Sequence, residues 1–259
     1  MIDAQTIAFA HRLADVAGET IRPYFRKVLT VDDKGAAKGS IFDPVTEADR
    51  NAERAIRAVI ERERPQDGIL GEEFGETQGT SGRRWVLDPV DGTRAFINGR
   101  HEWGTLIALE EQGRAVLGVI DQPVIRERFL GAGGTASFNG APIRTRACAQ
   151  IADAVLCCTH PYAYFEAEER AGFRRVSSAV RMSRFGGDCY IFAMLAMGFC
   201  DVIVESSFHR WDVAALIPLI EGAGGVITDW TGGDPGAGGQ CLASGDARVH
   251  EQAIALLKG

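Results

Sequence analysis

The chain is 259 residues long with 46% hydrophobic and 24% charged residues, an ordinary globular composition with enough length for one large core or two small ones. Its 28 Lys and Arg against 35 Asp and Glu leave a formal charge of -7, and no basic run or basic-aromatic patch interrupts that balance, which argues against nucleic acid as a partner. The apolar stretches fall short of membrane-spanning length, Met1-Ile2-Asp3-Ala4-Gln5 lacks a basic region followed by a hydrophobic one, and the six cysteines lack zinc or Cys-x-x-Cys spacing, so the expectation is a cytoplasmic protein with reduced core thiols and no membrane partner.

Over residues 6–25 apolar side chains recur at Ile7, Ala10, Leu13, Ala14, Ala17, Ile21 and Phe25, one face of a long helix that Pro23 should kink or end. Residues 30–45, with Asp32-Asp33-Lys34-Gly35 and Lys38-Gly39-Ser40, read as a loop or loose hairpin able to reach over a site. Thr46 and Asp49 precede the helical pattern Ala52, Ala55, Ile56, Val59 and Ile60, so they suit a capping box, and Pro65 closes that helix. Ile69-Leu70-Gly71-Glu72-Glu73 reads as a short strand ending in two acids. Strand alternation then lets only one of Glu72 and Glu73 join an interior site.

The most informative stretch runs from Trp85 to Phe96. Trp85, Val86 and Leu87 fit a buried strand, and Pro89 biases Asp88 toward extended geometry, so the strand is expected to stop at a carboxylate. Asp then Pro suits a type I turn, which would aim Asp88 and Asp91 into one space. Two carboxylates so close repel, and Mg²⁺, which takes hard oxygen ligands and leaves room for water and phosphate, relieves the repulsion. Gly92 and Thr93 open the next helix, where backbone N–H groups can hold a phosphate. Asp, Pro and Gly also make plain surface turns, but Asp-Pro-x-Asp-Gly-Thr arises by chance on the order of once in ten thousand such chains. A simple turn needs no second Asp.

Beyond it, residues 105–109, 115–120 and 126–130 read as strands of a mainly antiparallel sheet, and Asn139-Gly140 marks a hairpin. A boundary is expected near residues 144–150, dividing an N-terminal α+β domain, residues 1–146, with most metal ligands, from a C-terminal α/β domain, residues 147–259. In that second half residues 155–158, 202–205 and 225–228 look like strands, and 187–197, 212–221 and 247–257 like helices. Residues 231–240 are glycine-rich without a Gly-Lys-Ser or Gly-Lys-Thr and read as a surface loop. Asp212 in Trp211-Asp212-Val213-Ala214-Ala215 is either an N-cap or a carboxylate brought to join Glu72, Asp88 and Asp91.

Three ordered motifs, Gly71-Glu72-Glu73, Asp88-Pro89-Val90-Asp91-Gly92-Thr93, and Trp211-Asp212-Val213-Ala214-Ala215 with Glu221-Gly222-Ala223-Gly224-Gly225, resemble the inositol monophosphatase superfamily over nearly the whole chain. The resemblance implies a layered α-β-α-β-α sandwich and two or three Mg²⁺ ions held by Glu72, Asp88, Asp91, Asp212 and the Val90 carbonyl. It also matches Asp49 to a carboxylate holding a metal-bound water and Lys38, eleven residues earlier, to a loop lysine near the site. Glu72 and Thr93 would orient the attacking water, and a homodimer is implied. Thr93-Arg94-Ala95-Phe96 and Phe185-Gly186-Gly187-Asp188-Cys189-Tyr190 resemble the histidinol-phosphatase branch.

In that branch Asp188 and Glu205 would select a cationic alcohol, with Gly92, Thr93, Arg94 and Asp212 also on the substrate. Asp188 equally suits an N-cap, and Arg94 either a phosphate or a dimer contact. The expected activity is Mg²⁺-dependent hydrolysis of L-histidinol phosphate, a small-molecule phosphate ester, in histidine synthesis. The alternatives are inositol phosphate, fructose 1,6-bisphosphate or a 3'-phosphoadenosine nucleotide, and, from another class, a non-catalytic phosphate-binding module.

Overall fold

The computed structural model describes residues 2–35 and 44–259. Helix α1 (Ala4–Ile21) is followed by a 3-10 turn (Arg22–Tyr24), strands β1 (Asp32–Asp33) and β2 (Pro44–Val45), helix α2 (Glu47–Glu63), and strands β3 (Gly68–Gly71), β4 (Gly75–Thr77) and β5 (Arg83–Asp91). Helix α3 (Thr93–Ile97) leads to β6 (Gly104–Glu111), β7 (Arg114–Gln122), β8 (Glu127–Ala132), β9 (Thr135–Phe138) and β10 (Ala141–Pro142). Then come β11 (Val155–Cys158), α4 (Pro161–Tyr164), α5 (Ala167–Ala179), β12 (Met182–Phe185), α6 (Asp188–Ala196) and β13 (Val202–Phe208). The chain closes with α7 (Arg210–Val213), α8 (Leu216–Gly222), β14 (Val226–Thr228), β15 (Gly239–Ser244) and α9 (Ala247–Lys258).

Local chemistry sets the helix ends. Asp3 caps α1 by accepting from the Thr6 N–H at 2.7 Å, and Pro23 falls in the 3-10 turn that ends it, as its fixed φ and missing N–H require. The capping box at Thr46 and Asp49 is present. Strands form an eight-stranded sheet ordered β10-β9-β8-β7-β6-β5-β3-β4, antiparallel except where β3 runs parallel to β5. A five-stranded sheet, β12-β11-β13-β15-β14, is parallel across β12, β11 and β13 and antiparallel beyond.

Period-two alternation turns these sheets into five layers. Trp85, Leu87, Ile107 and Leu109 bury against Phe9, Leu13, Ile56 and Ile60 of α1 and α2. Their neighbours Val86, Leu106 and Ala108 face the opposite way, onto Phe192 and Leu195 of α6 and Leu216 and Ile220 of α8. Those helices also cover Ile203 and Ala243 of the second sheet, whose far face packs Leu156, Val202 and Leu242 on Phe173, Val176 and Val249 of α5 and α9. The arrangement is α-β-α-β-α. The middle helices draw on both halves of the chain for one shared core, each large apolar side chain there contributing roughly 1.5–3 kcal/mol.

Glycines let α8 lie close on the first sheet. A Cβ on Gly118 would meet the Ala215 carbonyl oxygen at 2.0 Å, and one on Gly131 the backbone of Pro218 and Leu219 at 2.3 Å. This contact carries the preceding α7, with Asp212, to the end of β5. The single helix expected over residues 212–221 is instead two, α7 and α8. Helix α5 and strand β15 were not foreseen. Residues 231–240 hold a 3-10 turn (Pro235–Ala237) and the start of β15, since pairing with β13 and β14 recruits a strand that its glycine-rich approach disguises. Among the described residues no helix is long and apolar enough to cross a membrane, and all six cysteines are buried and free.

Candidate metal and phosphate site

Strand β5 does not stop at Asp88. It continues through Asp91, but its ladder with β6 shifts register between those two residues. Pro89 cannot donate to the ladder, and a bulge is where a strand tolerates that loss. The buried Asp88 carboxylate accepts from the Val90 N–H at 3.1 Å, and Thr105 Oγ1 donates to the Pro89 carbonyl at 2.8 Å, so the bulge is pinned from both sides. Gly92 follows in the left-handed region at φ 88, which reverses the chain into α3. That helix has five residues, so it offers local backbone N–H groups rather than a long dipole.

Asp212 is not the N-cap of its helix. It is the third helical residue of α7, and its Oδ2 accepts from the His209 N–H at 2.6 Å in a capping box. Oxygens of Asp88, Asp91 and Asp212 lie within 4.8 Å of one another. Burial first, then repulsion by Glu72 and by one another, pushes Asp88 and Asp212 well above the usual carboxylate range. Asp91 rises to about 6 for the same reasons, opposed by the Cys189 N–H that donates to its Oδ2 at 2.6 Å. An all-oxygen donor set that repels itself this strongly fits a hard divalent cation.

Glu72 stands beside this trio. Because β3 ends at Gly71, alternation no longer governs the next two residues, and Glu72 and Glu73 both turn toward Lys34. Its ammonium donates to Glu72 Oε1 at 2.7 Å and Glu73 Oε1 at 2.9 Å. The expectation that only one of the two acids reaches the interior is thereby corrected. Burial opposes the Lys34 charge, but the two carboxylates win and hold it protonated. Burial lifts Glu73 to about 7 against the same ion pair. Lys38, the lysine singled out in the sequence, lies outside the described residues.

Asp49 serves its helix and faces the site at once. Its Oδ2 accepts from the Thr46 N–H at 2.9 Å and Thr46 Oγ1 at 2.6 Å, while Oδ1 lies 3.4 Å from Thr93 Oγ1. Burial raises it to about 6 despite those donors. Thr93 Oγ1 also donates to the Val90 carbonyl at 3.1 Å, which links Asp49 to the strand bulge.

The far wall comes from the second sheet. Asp188 is the first residue of α6 and sits at φ 42, beside the Gly187 cap, so it is not an N-cap. Its side chain presses on Gly92, where a Cβ would approach Asp188 Cβ to 3.0 Å. Burial, then repulsion by Asp91, pushes Asp188 up to about 8. The buried Glu205 rises to about 8 through burial, although the Thr159 N–H donates to its Oε1 at 2.5 Å. Arg94 lies 4.8 Å above the Tyr164 ring and donates to its hydroxyl. Neither Tyr164 nor Lys34 was singled out from the sequence, because no local pattern distinguishes them from a surface aromatic and a loop charge.

The inositol monophosphatase family profile matches residues 3–258. The chain belongs to the inositol monophosphatase family. It is similar to the bifunctional phosphatase IMPL2 of Arabidopsis thaliana, 41% identical over 97% of this chain and 74% of the plant protein. A histidinol-phosphatase from Chlorobaculum parvum is 36% identical over 97% of this chain and 96% of its own. A solved inositol monophosphatase from Zymomonas mobilis superposes with a TM-score of 0.89 at 45% identity, covering 100% of both chains. Inositol monophosphatase family proteins are phosphatases, and the layered fold and acidic site described above are those of this member.

Proposed function

We propose that the chain is a Mg²⁺-dependent phosphomonoesterase that hydrolyses L-histidinol phosphate. The observation that carries the reading is the convergence of Asp88 and Asp91 from β5 with Asp212 from α7 at one site. Glu72, Asp88, Asp91, Asp212 and the Val90 carbonyl would hold the ions. Bound Mg²⁺ neutralises the phosphate and lowers the pKa of the attacking water. Thr93 Oγ1, fixed between the Val90 carbonyl and Asp49, would orient the water with Glu72, and Asp49 would receive at its Oδ1 the proton that the attacking water gives up, the proton going on to the departing alcohol oxygen. Lys38, outside the described residues, would add a cation, as the family resemblance implies. The Gly92 and Thr93 backbone N–H groups donate to phosphate oxygens, and Arg94 flanks them.

The alcohol is set by the wall. Histidinol carries an ammonium group and an imidazole, and Asp188 and Glu205 would supply the matching acids, with Asp212 also on the substrate. The histidinol-phosphatase relative from Chlorobaculum parvum supports this choice. Inositol phosphate is the second reading, favoured by the 45% identity to the Zymomonas mobilis inositol monophosphatase. Phosphate release from histidinol phosphate, inositol 1-phosphate and fructose 1,6-bisphosphate, each with Mg²⁺ and with EDTA, separates them. A Mg²⁺-dependent preference for histidinol phosphate is expected. Preference for inositol phosphate would keep the chemistry and replace the substrate, and no turnover on any ester would leave a phosphate-binding module.

A further inference from the structure

Glu72 is the last residue that the sheet holds before the chain turns away from it. Strand β3 ends at Gly71; the Glu72 N–H still donates to the Leu87 carbonyl of β5 at 3.2 Å, and the two backbone N–H groups after it are taken by a side chain from α2. Glu53 Oε2 accepts from the Glu73 N–H at 2.8 Å, and Glu53 Oε1 accepts from the Phe74 N–H at 3.2 Å. Arg57, one turn along α2, donates through Nε to Glu53 Oε1 at 2.7 Å and through its other nitrogens to Thr77 Oγ1 and the Gly75 carbonyl. The guanidinium thus ties the carboxylate to the far side of the same turn.

The Glu53 side chain is 0% exposed. Two exposed amides could be satisfied by water, whereas a fully buried carboxylate must offset a desolvation cost of several kcal/mol. Its two charge-assisted bonds to backbone N–H groups are therefore strong and directional. The close fit extends to the strand: a Cβ on Gly71 would lie 2.0 Å from Glu53 Oε1, so the residue before Glu72 has no side chain because the carboxylate occupies its place. Asp49 and Glu53 are four residues apart on α2 and so share a face. One helix face thereby reaches Thr93 with its first acid and the Glu72 turn with its second.

We infer that Glu53 is a positioning residue that fixes the turn bearing Glu72, so that the Glu72 carboxylate faces the Asp88 and Asp91 pair. The inference rests on the reading of Glu72 as a Mg²⁺ ligand. Removing a partner that orients a ligand weakens metal binding by roughly ten- to a hundredfold in comparable sites.

The test is Mg²⁺ binding to the full chain by titration calorimetry, with thermal unfolding of the metal-free protein alongside. Glu53→Gln keeps the volume but turns an NH2 toward a backbone N–H, and its Kd for Mg²⁺ is expected to rise about tenfold. Arg57→Gln leaves both Glu53 oxygens on the amides; it should lower Tm but change Kd by less than about threefold. The double variant restores the local charge balance and should keep the weak Kd of Glu53→Gln. A wild-type Kd in Glu53→Gln overturns the inference, recovery in the double variant assigns the loss to charge and overturns it too, and so does a Kd that follows Tm equally in both single variants. If Glu53→Gln does not fold, Glu53→Asp, one methylene too short to reach both amides, is read the same way. Glu72→Gln separates the two claims: an unchanged Kd there means the ligand reading has failed, whereas a weakened Kd beside a wild-type Glu53→Gln means only the positioning claim has.

Discussion

The two sheets serve the site in different ways. The first delivers Asp88 and Asp91 from one bulged strand end, where local hydrogen bonds fix the bulge and the Asp88 carboxylate, while the Cys189 N–H of α6 holds that of Asp91. The second contributes a wall in separate pieces: Glu205 from β13, Asp188 from the start of α6, and Tyr164 from α4. Asp212 stands between, on a four-residue helix set by the packing of α8. Positions fixed by contiguous backbone change together or not at all, whereas a wall assembled from distant segments can alter one side chain at a time. Chemistry and selectivity should therefore separate under mutation.

Asp91→Asn gives the largest expected effect. The neutral amide still accepts from Cys189 N–H, so the fold should persist, while Mg²⁺-dependent kcat/KM falls about a thousandfold or more on every ester. Retained turnover would remove Asp91 from the metal site. Asp188→Asn lies on the other side of the comparison: histidinol phosphate use should fall on the order of tenfold, with a neutral phosphate ester nearly unchanged. Equal loss on both would merge the two regions functionally.

A smaller effect is read in stability. Asp91, raised to about 6, binds its proton more tightly in the metal-free fold than in the unfolded chain. The metal-free fold thus loses stability as pH rises from the ordinary Asp range through about 6, and a cation relieves that loss. The rise in Tm caused by Mg²⁺ should be small at pH 5 and large at pH 8; a pH-independent rise would place the ion elsewhere. The smallest effect lies away from the site. Burial lowers His250 to about 4, beside Thr228 Oγ1 at 2.9 Å and Ser244 Oγ at 3.1 Å. Its folded pKa is depressed, so the stability it contributes is present above the unfolded value near 6.5 and is lost as pH falls toward 4. His250→Gln should flatten that acid limb and leave Mg²⁺ affinity alone.

The sequence made the first sheet's contribution legible because its residues are neighbours. Asp88, Asp91, Gly92 and Thr93 sit in six consecutive positions whose turn chemistry is local, and only the strand's continuation past Pro89 escaped, since the bulge depends on β6. Glu72 was legible as a motif, but its joint grip on Lys34 with Glu73 was not: that contact spans 38 residues and arises from where β3 ends. Glu53 was not singled out in the sequence, because its partners are backbone N–H groups of the Glu72–Glu73 turn, 20 residues away. Tyr164 and the strand β15 were hidden for the same reason, their environment being made by segments distant in the chain.

The most direct measurement is the anomalous difference density of crystals grown with Mn²⁺ in place of Mg²⁺, since Mn²⁺ shares its preference for oxygen ligands. Peaks bounded by the carboxylates of Asp88, Asp91 and Asp212, with Glu72 released from Lys34 to join them, are predicted. Density confined to other acidic surfaces, with the three aspartates empty, would contradict the assignment of this site.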